Sequence, residues 1–129
     1  MINIFLIGLG GALGAILRYL TSEAITKNFT AATRFPLATF FVNVFGCFIA
    51  GIIYYFIIKN FDGIDAKLKN FLLVGLLGGY TTFSAFSLDF FRLASAGQNL
   101  QAVVYALSSV ILSIAALFFG FYSAKLLFS

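Results

Sequence analysis

Thr81, Thr82, Ser84 and Ser87 place four hydroxyls within seven residues of an otherwise apolar stretch, directly after Gly75, Gly78 and Gly79. Hydroxyls donate and accept hydrogen bonds without carrying charge. Each glycine weakens a helix by roughly 1 kcal/mol relative to alanine. Irregular backbone at membrane depth is tolerated only inside protein or beside a water-filled cavity. The pattern predicts a glycine break in a spanning helix, beside a place where something polar is handled within the bilayer. Phe83 and Phe86 follow the break three residues apart, on one helical face. An aromatic ring has a negative face and a positive edge, so ring edges can meet an anion that the faces would repel.

Other polar residues occupy the apolar stretches. Asn43 is costly in mid-span unless its two donors and its acceptor are met, and Thr39 precedes it by one turn on the same face. Two readings stand: an interhelical hydrogen bond, or N–H donors facing a permeation path. Ser109 and Ser113 are four apart, with Ser108 beside them. A single serine commonly bonds back to a carbonyl one turn earlier, whereas two on one face suggest a polar stripe. Gly10 and Gly14 in the first apolar segment, and Gly46, Ala50 and Gly51 in the second, read as close helix packing.

The absences narrow the chemistry. No Asp, Glu, His or Lys falls in the middle of an apolar segment. Proton-coupled transporters place a titratable group deep in the membrane, so obligatory proton exchange is hard to build here. Asp89 comes nearest, and Arg92, three residues on, is its expected partner. A lining of amide donors, hydroxyls and ring edges suits passive movement of a small anion that accepts hydrogen bonds. No nucleophile–base pair or metal cluster points to an enzyme. With no His and a single cysteine, Cys47, a transition-metal site is not expected, and Cys47 reads as a small packing residue.

The elements that position these residues are apolar helices. The 129 residues are 62% hydrophobic and only 9% charged, where soluble domains carry about a quarter charged. The net charge of +4 is scattered, with no Lys/Arg run of the kind that marks a nucleic-acid surface. A spanning helix needs about 20 apolar residues, and four fit: 3–20, 37–58, 70–92 and 100–127. The fold expected is an all-α membrane protein in one domain over 1–129, its third helix broken near the middle. The start, Met1-Ile2-Asn3-Ile4-Phe5, lacks a basic n-region and reads as an uncleaved span. Polar connections are expected at 21–35 and 59–69, with Pro36 in the first turn of the second span, and a short turn around Gly97. Four spans put both termini on one side, with Lys59, Lys67, Lys69 and Lys125. The other side carries Arg18, Lys27, Arg34 and Arg92. Lys and Arg in short loops set orientation, and this balance sets none. Either Arg18 and Arg92 lie partly within the membrane, or the chain inserts both ways up; an antiparallel dual-topology dimer satisfies the second reading.

Three motifs carry a family resemblance. Gly10-Gly11-Ala12-Leu13-Gly14-Ala15-Ile16-Leu17-Arg18-Tyr19 is similar to GGxxGxxxRY. Thr39-Phe40-Phe41-Val42-Asn43-Val44-Phe45-Gly46 is similar to TxxVNxxG. The run from Gly75 to Ser87 is similar to GxxGGxTTFSTFS. In this order, in a four-span chain, they resemble the Fluc/CrcB fluoride channel family. The resemblance implies an antiparallel dual-topology homodimer in the inner membrane, with passive export of fluoride through two pathways. By position it implies pore roles for Asn43, Phe83, Phe86 and Ser113, with Thr39, Thr82, Ser84 and Ser109 along the lining. It implies a structural sodium ion at the dimer centre, held by the backbone carbonyls of Gly78 and Thr81, and a vestibule or interface position for Arg18. Ala85 departs from the pattern, which has threonine there. The rival classes are a small multidrug-type dual-topology transporter, which needs a glutamate in the first span that this chain lacks, and a non-transporting membrane subunit.

Overall fold

Helix α1 runs Ile2–Phe29, well past the expected end at Leu20. The polar residues beyond Leu20 support the helix locally instead of ending it. Thr21 Oγ1 donates to Leu17 O at 2.8 Å, Asn28 Nδ2 donates to Ala24 O at 2.7 Å, and Glu23 and Lys27 pair at 3.8 Å, one turn apart. At 1.5 Å per residue α1 is about 42 Å long, so its polar end projects beyond a hydrocarbon core of about 30 Å. The computed structural model describes residues 1–29, 35–60 and 63–129. Arg34, part of the charge balance, and Asp62 lie outside the described residues.

Helix α2 spans Leu37–Lys59, with Pro36 at its N-cap rather than inside the first turn. The third span comprises α3 (Ala66–Lys69), a π-helical segment (Asn70–Leu77), α4 (Gly78–Tyr80) and α5 (Phe83–Ser95). Asp65 caps α3 by accepting from Lys67 N at 3.0 Å, so the span starts inside the stretch expected to be a connection. Helix α6 covers Asn99–Phe128 after a turn at Gly97, whose φ of 77° favours glycine. All four spans are long and apolar enough to cross a membrane.

The break falls at Thr81 and Thr82, whose backbones are extended (φ −78°, ψ 158° and φ −153°, ψ 126°). It does not fall at the glycines, which are helical. Gly75 and Gly79 serve close packing instead. A Cβ on Gly75 would lie 2.8 Å from Ile7 O, and one on Gly79 would collide with Gly11 O, while Gly14 sits against Leu76 O in the same way. Side-chain-free faces on both helices let α1 accept the wider π-helical segment. Across the molecule, Gly51 packs on Leu117 O and Gly120 on Phe48 O, which joins α2 to α6 backbone to backbone, as small residues do in membranes. The result is two helix pairs: α1 with the first half of the third span, and α2 with α6, against which α5 also packs. Asn70 Nδ2 donates to Asn3 Oδ1 at 3.3 Å, and Lys59 Nζ donates to Phe128 O. These contacts gather both termini at one end, as the span count requires.

Candidate functional site

The break is held by one side chain. Asn43 Nδ2 donates to Thr82 O at 2.9 Å, and Asn43 Oδ1 accepts from Thr82 N at 2.8 Å. A backbone N–H can only donate, so the amide orientation is fixed. Both backbone polar groups of Thr82 are thereby satisfied from α2. Thr82 in turn caps α5, its Oγ1 accepting from Ala85 N at 3.1 Å. The N-terminus of α5 therefore lies partway along the third span, beside Asn43, where its dipole favours negative charge.

A cavity of about 270 Å³ opens at this point, lined by Asn43 and Cys47 from α2, Thr81, Thr82, Phe83 and Phe86 from the break and α5, and Ser109 and Ser113 among the α6 residues. Asn43 and Cys47 share a face of α2, and Ser109 and Ser113 share a face of α6, each pair one turn apart. Both readings of Asn43 thus meet in one residue: it makes the interhelical clamp, and its second N–H is left over on a cavity-lining side chain. Ser109 is 4% exposed and its Oγ has no hydrogen-bond partner among the described residues. Ser108 behaves as an ordinary intramembrane serine, donating to Val104 O at 2.6 Å.

Phe83 and Phe86 are 5.4 Å apart between centroids, tilted by 45°. They differ in setting: Phe83 is 76% exposed, whereas Phe86 lies against Tyr105 at 5.2 Å. Tyr105 is fully buried and anchors a cluster with Leu93, Ala102 and Phe35. Its hydroxyl donates to Asp89 Oδ2 at 3.2 Å, while Asp89 Oδ1 faces Arg92 at 3.8 Å. Sequence reasoning found the Asp89–Arg92 pair and missed Tyr105. A buried phenol needs a partner for its O–H, and a lone acid toward the end of a neighbouring span was the available signal.

Two expected lining residues lie elsewhere. Thr39 borders a second cavity of about 290 Å³ with Arg18, Tyr19, Ser22, Thr82 and Ala85. Thr39 and Asn43 are one turn apart on α2, yet they border different cavities. Ser84 is exposed, its Oγ 3.1 Å from Thr82 Oγ1, and it borders neither cavity. Cys47, read as a packing residue, lines the first cavity. Thr82 borders both cavities, so its clamped backbone is the partition between them. Among the described residues, Arg18 has no carboxylate within ion-pair distance. Ala85 lines the Arg18 cavity with a methyl group where the motif has a hydroxyl.

Comparison with known proteins identifies the family. The family model described as "CrcB-like protein, Camphor Resistance (CrcB)" matches residues 5–121. A Rhizobium meliloti (strain 1021) protein named fluoride-specific ion channel FluC is 45% identical over 120 residues, covering 93% of this chain and 94% of the relative. Its namesake in Flavobacterium psychrophilum is 44% identical over 125 residues, 97% and 98% of the two chains. That in Helicobacter pylori (strain Shi470) is 41% identical over 117 residues, 91% and 88%. The matched region holds all four spans, the break and both cavities, and on that basis the chain belongs to the CrcB family.

Proposed function

We propose that this chain is a fluoride channel subunit that lets cytoplasmic fluoride leave passively through the inner membrane, working as an antiparallel dual-topology homodimer. The observation that carries this reading is the first cavity. Its polar groups are an amide N–H, hydroxyls, ring edges and a helix N-terminus, with no carboxylate among its lining residues. The orphan Ser109 hydroxyl supports an occupant that accepts hydrogen bonds, because an unmet buried hydroxyl costs about 1–3 kcal/mol. The fluoride-specific names of relatives at 41–45% identity support the choice of anion.

In this reading Arg18 draws the anion into the second cavity by its charge, with Thr39 and Thr82 beside it. The ion passes the Thr82 partition, where the Asn43 clamp keeps the backbone open and supplies its spare N–H. Ser109 and Ser113 donate from α6 in place of lost water, and the edges of Phe83 and Phe86 face the ion from α5. Phe83 is largely uncovered by its own chain, which supports a second chain completing the wall. No group on this path needs to change protonation, so no proton is exchanged.

The family's sodium ion fits the residues present. In a continuous helix the Thr82 amide would reach Gly78 O, and the Ala85 amide would reach Thr81 O. Thr82 N donates to Asn43 and Ala85 N donates to Thr82 Oγ1 instead. Gly78 and Thr81 carbonyls are thereby left to hold a cation, and Gly78 lies open on the protomer surface. Bound there, sodium would supply a fixed positive charge that ties two broken spans together.

The multidrug-transporter reading fares worse. The nearest carboxylate on α1, Glu23, sits on the projecting polar end, paired with Lys27. Purified protein in liposomes, read with a fluoride electrode and challenged with chloride, tests the proposal. Fluoride efflux without proton coupling is expected. Proton-coupled uptake of an organic cation, or no flux of any kind, overturns it.

A further inference from the structure

We infer that Cys47 is a modification site inside the conduction cavity, reached from water by small uncharged thiol-selective electrophiles, and that its adduct closes the path. The inference rests on the reading of the cavity as the fluoride route. Cys47 lies one turn from Asn43 on the same face of α2 and lines the same cavity as Ser109 and Ser113. The cavity also holds the unpartnered, 4%-exposed Ser109 hydroxyl, which marks the space beside the thiol as one that takes a polar guest rather than packed side chains. One turn beyond Cys47 the helices close, Gly51 against Leu117 O and Gly120 against Phe48 O. A group attached to the sulfur therefore has no room to retreat between α2 and α6. It must sit in the cavity that Asn43 and Ser113 also line.

The chemistry is disulfide formation. With methyl methanethiosulfonate, the Cys47 thiolate attacks the sulfenyl sulfur. The new S–S bond forms as the S–SO₂ bond breaks, methanesulfinate leaves with the electron pair, and the thiol proton passes to water. Because the thiolate is the nucleophile, the reaction is run at mildly alkaline pH.

The test uses the full-length channel in proteoliposomes, measuring fluoride efflux and whole-chain mass before and after treatment. One methylthio group per chain is expected, located at Cys47. Flux should fall at least tenfold and return with dithiothreitol. Labelling should run slower in concentrated fluoride than in equal chloride. In Cys47→Ser, the ratio of treated to untreated flux should stay near one. Complete labelling with unchanged flux overturns the inference, as does an equal loss of flux in Cys47→Ser. Absence of labelling in the bilayer, with normal labelling of the detergent-unfolded chain, also overturns it. If the untreated protein carries no fluoride, the channel reading fails instead, and fluoride protection of the thiol still decides whether Cys47 faces an anion-accessible cavity.

Discussion

Replacing Asn43 by aspartate separates its clamp on Thr82 from its proposed contact with the ion. The side chain keeps its size and its acceptor for Thr82 N, now at 2.8 Å. The Nδ2 donor to Thr82 O at 2.9 Å becomes an oxygen facing an oxygen. Losing that bond and stranding the carbonyl costs about 1–3 kcal/mol, which the α2–α6 and α1 packing can absorb. The effect on the ion is larger. A carboxylate about 4 Å from fluoride repels it by about 4 kcal/mol at an effective dielectric of about 20. At 1.4 kcal/mol per decade this is roughly a thousandfold loss of occupancy. Fluoride efflux from proteoliposomes should therefore fall by two to three orders of magnitude (roughly, by that estimate), with the dimer intact by gel filtration. Flux should recover in part as pH falls and the new carboxyl takes up a proton, while the parent stays flat. Asn43→Ala removes the clamp without adding charge and should show a smaller loss with no such pH dependence. If a folded Asn43→Asp channel conducts within about threefold of the parent, the Coulomb estimate fails and Asn43 is packing alone.

Ser109→Ala should lower flux while leaving stability unchanged or slightly raised, because it deletes an unmet buried hydroxyl; a matched loss in thermal unfolding would mark Ser109 as structural. Phe83→Ile and Phe86→Ile should each cut flux sharply. Only Phe86→Ile, packed on Tyr105, should cost stability, at about 1.5 kcal/mol or less; equal, mild effects at Phe83, Phe86, Phe118 and Phe119 would return the pair to ordinary packing. Gly78→Val meets only Leu73 O at 3.7 Å within its own chain, so the protomer should fold while the dimer weakens on gel filtration. Gly79→Val drives a side chain into Gly11 O and should destabilise the protomer itself, by about 1–3 kcal/mol or more; the reverse ranking would remove the case for Gly78 at an interface. Reporters fused to the C-terminus, each active on one side of the membrane, should both give signal, and a single orientation would argue against the antiparallel dimer.

The sequence by itself determined the membrane class and the number of spans. Those follow from composition and from runs of about 20 apolar residues, and bilayer thickness makes such runs read one way. It also flagged Asn43, Phe83, Phe86, Ser109 and Ser113, since polar or paired aromatic groups in an apolar run need a reason. It read Gly10, Gly14, Gly46 and Gly51 correctly as packing positions but misjudged Gly75, Gly78 and Gly79. Their helix-weakening tendency pointed to the break, but α1 packs tightly on Gly75 and Gly79, and the helix stays wound through Gly78 and Gly79. It unwinds at Thr81 and Thr82, where Asn43 offers the backbone another pair of hydrogen bonds. That choice depends on a residue 39 positions away, and no local propensity contains it. The same holds for Thr39 and Cys47. Periodicity put Thr39 and Asn43 on one face, yet they border different cavities, and Cys47, read as a packing residue, lines Asn43's. A helical face is a property of one segment, whereas a cavity is what neighbouring segments leave unfilled. Only the packing of α2, α5 and α6 decided which side chains share the first cavity.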